Sequence, residues 1–132
     1  EKAHKIAKAI VDARKKGPIE TSRELAGIVL KAKRRRGKIH PATKTFQAIR
    51  IEVNGETKNL RAGVNDAIGM LNSQGKIGVI SFHSLEDRTI KEIFKTSAMV
   101  NAMTKKPIRP ERGEIRSNPS SRSAKLRVAE KK

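Results

Sequence analysis

The chain has 132 residues, which suffices for one modest domain or for part of a larger one. Its 31 Lys and Arg stand against 13 Asp and Glu, and the formal net charge of +18 indicates a polyanion as partner, nucleic acid before a membrane surface. The sequence contains no Cys, which excludes disulfides and thiolate chemistry, and its three Phe without Trp or Tyr exclude a surface that stacks several bases.

The first residues already follow the periodicity of a helix. Apolar residues between Ala3 and Val11 recur at helical spacing, and Gly17-Pro18 supplies the stop. Because the chain begins at Glu1 inside this pattern, without an initiator Met, we expect it to be part of a longer protein. No apolar run reaches the roughly 20 residues of a spanning helix. No signal peptide is visible either, so the expected location is the cytoplasm.

A second helix and a basic segment follow. Thr21 and Glu24 form a capping-box pattern before an apolar stripe, which predicts a helix start at this point. Six basic side chains lie within residues 31–38, including the consecutive arginines Arg34, Arg35 and Arg36. Such a run is either a solvated helix end or an RNA contact, and the net charge gives the contact at least equal weight. We place a boundary here.

The next segment predicts two helices separated by a turn. An apolar stripe of Phe46, Ile49 and Val53 indicates the first helix, which Asn54-Gly55 interrupts before a longer one begins. Thr43, Gln47 and Arg50 fall on the polar side of the first helix, which either contacts substrate or faces water. Lys44, Gln47 and Arg50 of this helix are candidates for RNA binding. Taken alone, this side suits a water-facing surface better.

The second half reads as the end of an α/β sheet. Residues 76–82 form a short apolar run that predicts a strand buried on both faces, as in parallel sheets. Ser84 is the expected N-cap of the following helix, and a weaker strand is expected near residues 99–105. A loop rich in Pro, Arg and Ser then leads to the alternating Leu126 and Val128 of a half-buried last strand. A parallel strand needs parallel neighbours, so this order predicts part of a larger sheet.

The end of the apolar strand is the first candidate site. In open α/β sheets, ligands bind beyond the carboxyl ends of the strands, where Phe82, His83 and Ser84 fall. The structural alternatives are that Phe82 fills the core and that His83 bonds a loop carbonyl. Glu86 and Asp87 already satisfy the dipole of the next helix, so they are expected to cap it and to repel a phosphate. Arg88 either pairs with one of them or faces RNA.

A second candidate lies before the last strand. Asn118-Pro119 superficially matches the motif of amino-methyltransferases, but the second Pro and the aromatic are missing, so a plain turn is the better interpretation. The cations that follow are possible phosphate contacts, namely Arg122, Lys125 and Arg127. The sequence has no Gly-x-Gly, no phosphate-binding P-loop and no His-Glu-x-x-His zinc motif.

Three stretches together carry a family resemblance. They are residues 40–50 (HPATKTFQAIR), 79–88 (VISFHSLEDR) and 118–127 (NPSSRSAKLR). In this order they resemble the signatures of the bacterial 16S rRNA cytosine-N4 methyltransferase family (RsmH, also called MraW), across nearly the whole chain. The resemblance implies that residues 1–38 end an inserted helical substrate-recognition domain. It implies that residues 39–132 are the C-terminal part of a Rossmann-like, S-adenosylmethionine-dependent methyltransferase domain.

The same resemblance implies an activity and a division of roles. The reaction is methyl transfer from S-adenosylmethionine to the N4 amine of a cytidine in the decoding region of 16S rRNA. The family's cofactor residues lie upstream, so we assign no cofactor or metal ligand in this chain and expect it to be inactive alone. Ser81, Phe82 and His83 would line the pocket of the flipped cytosine, while basic side chains hold the RNA. The alternative is a non-catalytic basic RNA-binding module associated with the ribosome.

Overall fold

The computed structural model describes residues 2–33 and 40–132. Its contacts divide the chain into two compact units, Glu1–Asn54 and Gly55–Lys132. This division falls later than the domain limit expected at residue 38, and the assignment of the first residues to an inserted domain stays a prediction. The consecutive arginines of the basic run, Arg34, Arg35 and Arg36, lie outside the described residues. None of the helices described is both long enough and apolar enough to cross a membrane.

The first unit contains helices α1 (Lys2–Arg14), α2 (Ser22–Ala32) and α3 (Thr43–Val53). Helices α1 and α2 pack against each other. The predicted capping box is confirmed, because Thr21 Oγ1 accepts the N–H of Glu24 at 3.2 Å and the Glu24 carboxylate accepts the N–H of Thr21 at 3.4 Å. Local signals therefore place the start of α2 correctly.

Helix α3 has the predicted extent but not a buried stripe. Phe46, Ile49 and Val53 are 36%, 41% and 78% exposed, so none of the three is a buried side chain. The predicted break is confirmed, since α3 ends at Val53 and Gly55 has a φ of 59°, in the left-handed region that glycine adopts without strain.

The second unit alternates helices and strands. Its elements in chain order are α4 (Glu56–Met70), β1 (Lys76–Ser81), α5 (Ser84–Thr96), β2 (Val100–Ala102), α6 (Arg112–Ser117), a 3₁₀ helix (Pro119–Ser123) and β3 (Lys125–Lys131). Helix α6 and the 3₁₀ helix occupy the segment expected to be a loop. Asn118 joins the two, and its carbonyl accepts a 2.8 Å hydrogen bond from the Ser121 hydroxyl.

The three strands form an antiparallel sheet in the order β1-β3-β2. Burial alternates along β1: Ile77 and Val79 are partly buried, while Gly78 and Ile80 are exposed. The described neighbour of β1, strand β3, is antiparallel, and the parallel neighbours that were expected outside this chain stay a prediction. The expected burial of β1 on both faces is not found in the described chain. The physical reason is that α4 and α5 supply the core on one face of the sheet only.

The core of this unit lies between that sheet face and the two helices. Its buried residues are Val64, Ile68, Ile90, Ile93, Phe94, Val100 and Ala129. Burial alternates along β3 as predicted, but on the opposite residues. Arg127 and Ala129 are the buried positions, whereas Leu126 and Val128 are only partly buried. A buried arginine requires a charged partner, which for Arg127 is Asp87 at the start of α5.

Candidate functional site

Reciprocal hydrogen bonds fix the connection between β1 and α5. His83 is the N-cap of α5, and its Nδ1 accepts the N–H of Glu86 at 3.2 Å. Oε2 of Glu86 accepts the N–H groups of His83 at 3.1 Å and of Phe82 at 2.8 Å. The capping role predicted for Glu86 is confirmed, but the predicted cap Ser84 is wrong by one residue. Ser84 is instead the first residue of the helix.

The capping bond determines what the His83 imidazole can do. Because Nδ1 accepts an N–H, the neutral ring carries its proton on Nε2. Nε2 is buried and lies 3.2 Å from Oε1 of Glu86, without hydrogen-bond geometry. Neither nitrogen therefore presents a free lone pair to a substrate while the cap is formed. The alternative that His83 bonds a loop carbonyl is not seen either, since its partner is a backbone N–H.

Three possible metal ligands meet at this connection. Glu56, His83 and Glu86 place ligand atoms within 4.8 Å of one another. A metal would need a lone pair on His83, but Nδ1 already accepts a hydrogen bond and Nε2 carries the proton. One oxygen of Glu86 is also committed to two backbone N–H groups. These hydrogen bonds suit a helix cap better than a metal site.

Of the three residues expected to line a pocket, Phe82 alone presents a large side chain to solvent. Phe82 is 55% exposed, which contradicts the alternative that it fills the core. Ser81 is 1% exposed, and its hydroxyl donates a long, 3.5 Å hydrogen bond to the carbonyl of Lys125. The site therefore consists of the exposed ring of Phe82. The backbone N–H of this residue donates a hydrogen bond to the Glu86 carboxylate.

Asp87 connects α5 to β3 through an ion pair. Arg127 Nε donates to Asp87 Oδ1 at 2.7 Å, and Nζ of Lys125 lies 3.8 Å from Oδ2. Arg127 is 5% exposed. Lys125 and Arg127 were expected to contact phosphate, and Asp87 to cap the helix. The structure instead pairs them with one another, which buries the Arg127 guanidinium away from the surface.

Opposing influences act on the pKa of Asp87. Burial raises this pKa, but the hydrogen bond and charge of Arg127, with the charges of Lys125 and Arg109, outweigh burial. The net result is a pKa below the ordinary value of 3.8. The carboxylate is thus ionised throughout the neutral range.

This shift predicts how acid affects the fold. Because the pKa is lower in the folded than in the unfolded chain, the ion pair stabilises the fold fully above the unfolded value, and that stabilisation is lost as pH falls through the lowered folded-state value. Urea unfolding of the native sequence and of Asp87→Asn should differ by a constant amount from about pH 7 to pH 5. The difference should shrink below about pH 4. A difference independent of pH would contradict the assignment.

The remaining predicted RNA contacts lie on several elements. Arg88 on α5 and Arg122 on the 3₁₀ helix are exposed, and no ion pair of Arg88 is found within the described residues. In the first unit, Lys44 and Arg50 are exposed on α3, while Gln47 is half-buried. Their roles in RNA binding stay predictions.

The model of the MraW methylase family matches residues 1–132. The chain belongs to the MraW methylase family. It is 57% identical over 135 residues to a Persephonella marina protein named Ribosomal RNA small subunit methyltransferase H, covering 98% of this chain and 46% of that protein. Proteins of the same name from Coprothermobacter proteolyticus and Trichodesmium erythraeum are 50% and 47% identical, again over 98% of this chain and 44% and 46% of theirs. The chain thus spans about half the length of these relatives.

The resemblance drawn from three stretches is confirmed by membership of the MraW methylase family. Residues 40–50 lie mainly on α3, residues 79–88 cover the end of β1 and the start of α5, and residues 118–127 reach into β3. The second and third stretches meet through the pair of Asp87 with Arg127. Sequence reasoning missed that contact because its partners are 40 positions apart. The His83 cap could have been found from the position of Glu86 three residues later.

Proposed function

We propose that this chain is the C-terminal part of an rRNA methyltransferase. The enzyme transfers a methyl group from S-adenosylmethionine to the N4 amine of a cytidine in the decoding region of 16S rRNA, on the small ribosomal subunit in the cytoplasm. The observation that carries this proposal is the match of all 132 residues to a methylase family. Because the chain spans about half of its relatives, the activity belongs to the full-length protein that contains it.

The sheet is consistent with a larger fold. Among the described strands, β1 pairs only with β3, so its other edge is open to a further strand. Mixed sheets commonly combine a parallel core with an antiparallel strand near one edge. We propose that β1, β3 and β2 end a Rossmann-like sheet, and that the first residues end an inserted helical domain.

We propose that the Phe82 side chain contacts the target base. A base must leave its stack to be methylated, and an aromatic side chain can then stack on its face. Phe82 follows the carboxyl end of β1, where open α/β sheets bind ligands. The Glu86 carboxylate accepts the backbone N–H of Phe82, which fixes the backbone from which the ring projects. The exposed arginines Arg88 and Arg122 are proposed to hold backbone phosphates.

The two carboxylates of the candidate site are not available to the methyl donor. The carboxylates that follow β1 are both committed, Glu86 to backbone N–H groups and Asp87 to Arg127. The chain also lacks a glycine-rich Gly-x-Gly loop. We therefore assign no S-adenosylmethionine ligand here and derive no step through it.

The test of the proposed function uses the full-length protein. It should transfer a labelled methyl group from S-adenosylmethionine to small ribosomal subunits, and nucleoside analysis of the 16S rRNA should identify N4-methylcytidine. Methylation at another atom would reject the N4 assignment. RNA binding without any methyl transfer would instead support the alternative function, a non-catalytic RNA-binding module.

Two substitutions of His83 separate capping from substrate contact. His83→Ala should lower the free energy of unfolding of the full-length protein by about 1 kcal/mol, because an N-cap acceptor is lost. His83→Asn keeps an acceptor suited to the N-cap, so it should retain stability and methylation. Urea unfolding and kcat are measured for both. A stable but inactive His83→Asn protein would show that the imidazole itself touches the substrate.

A further inference from the structure

The hydrogen-bonded ladder of the sheet ends one residue before Phe82. Ser81 is the last residue of β1, and it lies opposite Lys125 of β3. Phe82 and His83 continue the chain beyond the ladder, before α5 begins at Ser84. The described strands offer no acceptor to the backbone N–H groups of these two residues. Another acceptor must therefore hold them if their backbone is to be fixed.

A single carboxylate oxygen supplies that acceptor. Oε2 of Glu86 accepts the N–H of Phe82 at 2.8 Å and the N–H of His83 at 3.1 Å. Hydrogen bonds to a carboxylate are roughly twice as strong as those between neutral groups. The Glu86 side chain is partly buried, and its partial exclusion from water strengthens these bonds further.

The two hydrogen bonds restrain the backbone on both sides of the Phe82 Cα. The N–H groups of Phe82 and His83 belong to the two peptide units that flank this Cα, so one oxygen limits both φ and ψ of Phe82. The ring is 55% exposed, so the described residues cover less than half of it. The direction of the ring therefore depends on the backbone that Glu86 holds.

Glu86 is itself carried by a fixed element. Its own N–H donates to Nδ1 of His83 at 3.2 Å, and Ile90, one turn further along α5, is fully buried in the core. The next residue, Asp87, ties the same first turn to β3 through Arg127. The carboxylate that holds Phe82 is thus anchored to both the core and the sheet.

We propose that Glu86 is a positioning residue for rRNA methylation, which holds the Phe82 ring in the direction that stacks on the target base. This inference rests on the proposed function and on the contact proposed for Phe82. Glu86 acts through the ring and does not touch the base. A misplacement of about 1 Å can reduce turnover a hundredfold, so a loosened ring should slow the reaction although the ring is still present. A carboxylate that only capped α5 would affect stability and not turnover.

The capping box of α2 provides a matched control. The Glu24 carboxylate accepts the N–H of Glu20 at 2.9 Å and the N–H of Thr21 at 3.4 Å, so it binds the same two backbone positions relative to its helix. The residue before this N-cap is Glu20, where α5 has the aromatic Phe82. Glu24→Ala and Glu86→Ala should therefore lower the unfolding temperature by similar amounts. Only Glu86→Ala should slow methylation.

The first experiment measures methylation, stability and amide exchange of the full-length protein. Glu86→Ala should lower kcat/KM for small ribosomal subunits roughly tenfold, and by no more than Phe82→Ala does. Glu86→Gln should retain most of the activity, because Gln also forms capping boxes. Hydrogen exchange of the Phe82 and His83 amides should become roughly tenfold faster in Glu86→Ala, because each loses a hydrogen bond to a carboxylate. Rates are measured at a temperature at which all variants are folded.

A further variant separates positioning from helix stability. Glu86→Asp keeps a negative charge in the first turn of α5, where it interacts favourably with the helix dipole. Its carboxylate is one methylene shorter and should no longer reach both N–H groups. Glu86→Asp should therefore lose methylation as Glu86→Ala does, with a smaller loss of stability. Equal methylation by stable Glu86→Asp, Glu86→Ala and Glu24→Ala proteins would overturn the proposal.

The double variant Phe82→Ala with Glu86→Ala tests whether Glu86 acts through the ring. Its loss of kcat/KM should equal that of Phe82→Ala alone, because the group that Glu86 positions is then absent. Losses that multiply would overturn the proposal and assign Glu86 a separate role. Normal methylation by Phe82→Ala would reject the contact of the ring with the base, and with it this inference. Absence of methylation by the unaltered protein would instead reject the proposed function.

Discussion

Asp87→Asn is expected to lower the free energy of unfolding of the full-length protein by about 3 kcal/mol, because it leaves a buried guanidinium unpaired. Arg127 is 5% exposed and donates to Asp87 at 2.7 Å. Removing one member of a fully buried pair costs about 3 to 5 kcal/mol, and the lower end applies because the Asp87 side chain is 18% exposed. Urea unfolding monitored by circular dichroism measures the change.

Two further variants make this prediction specific. Asp66→Asn removes an exposed carboxylate from α4, and it should change the unfolding free energy by less than about 0.5 kcal/mol. Adding Arg127→Met to Asp87→Asn should recover part of the loss, because an apolar side chain then replaces the unpaired charge. Equal stability of Asp87→Asn and the native sequence would show that the ion pair does not hold α5 to β3.

The local features of the fold were predictable from short stretches of sequence. The capping box at Thr21 and the break at Asn54-Gly55 depend on residues within four positions of one another, so their signals survive in any tertiary context. The direction of β1 was not predictable in this way. An apolar run indicates burial, but it does not encode whether the neighbouring strand runs parallel or antiparallel.

The candidate site likewise combines features that local sequence predicts with one that depends on tertiary packing. Phe82 could be singled out because it follows a predicted strand. The period of two along a strand could also have placed Ser81 with Ile77 and Val79 on the helix-covered face, as the structure does. The pair of Asp87 with Arg127 depends on the antiparallel packing of the sheet under α5, and no local pattern reports it.

Phe82→Ala is expected to reduce kcat/KM for rRNA methylation by the full-length protein about 5- to 150-fold. Stacking of a base on an aromatic side chain contributes about 1 to 3 kcal/mol, which corresponds to that range. The ring is 55% exposed, so its removal should change the unfolding free energy by less than about 0.5 kcal/mol. Initial rates of methyl transfer to small ribosomal subunits and urea unfolding measure the two effects.

The controls for Phe82 separate stacking from packing. Phe82→Trp preserves an aromatic face and should retain most of the activity, whereas Met70→Ala removes an apolar side chain that is 86% exposed and should have no effect on turnover. A large loss of stability in Phe82→Ala would mean that the ring packs against another part of the full-length protein. Normal methylation by a stable Phe82→Ala protein would show that Phe82 does not contact the substrate. Because the Glu86 carboxylate holds the backbone of residue 82 rather than its ring, these substitutions test the side chain without disturbing the cap of α5.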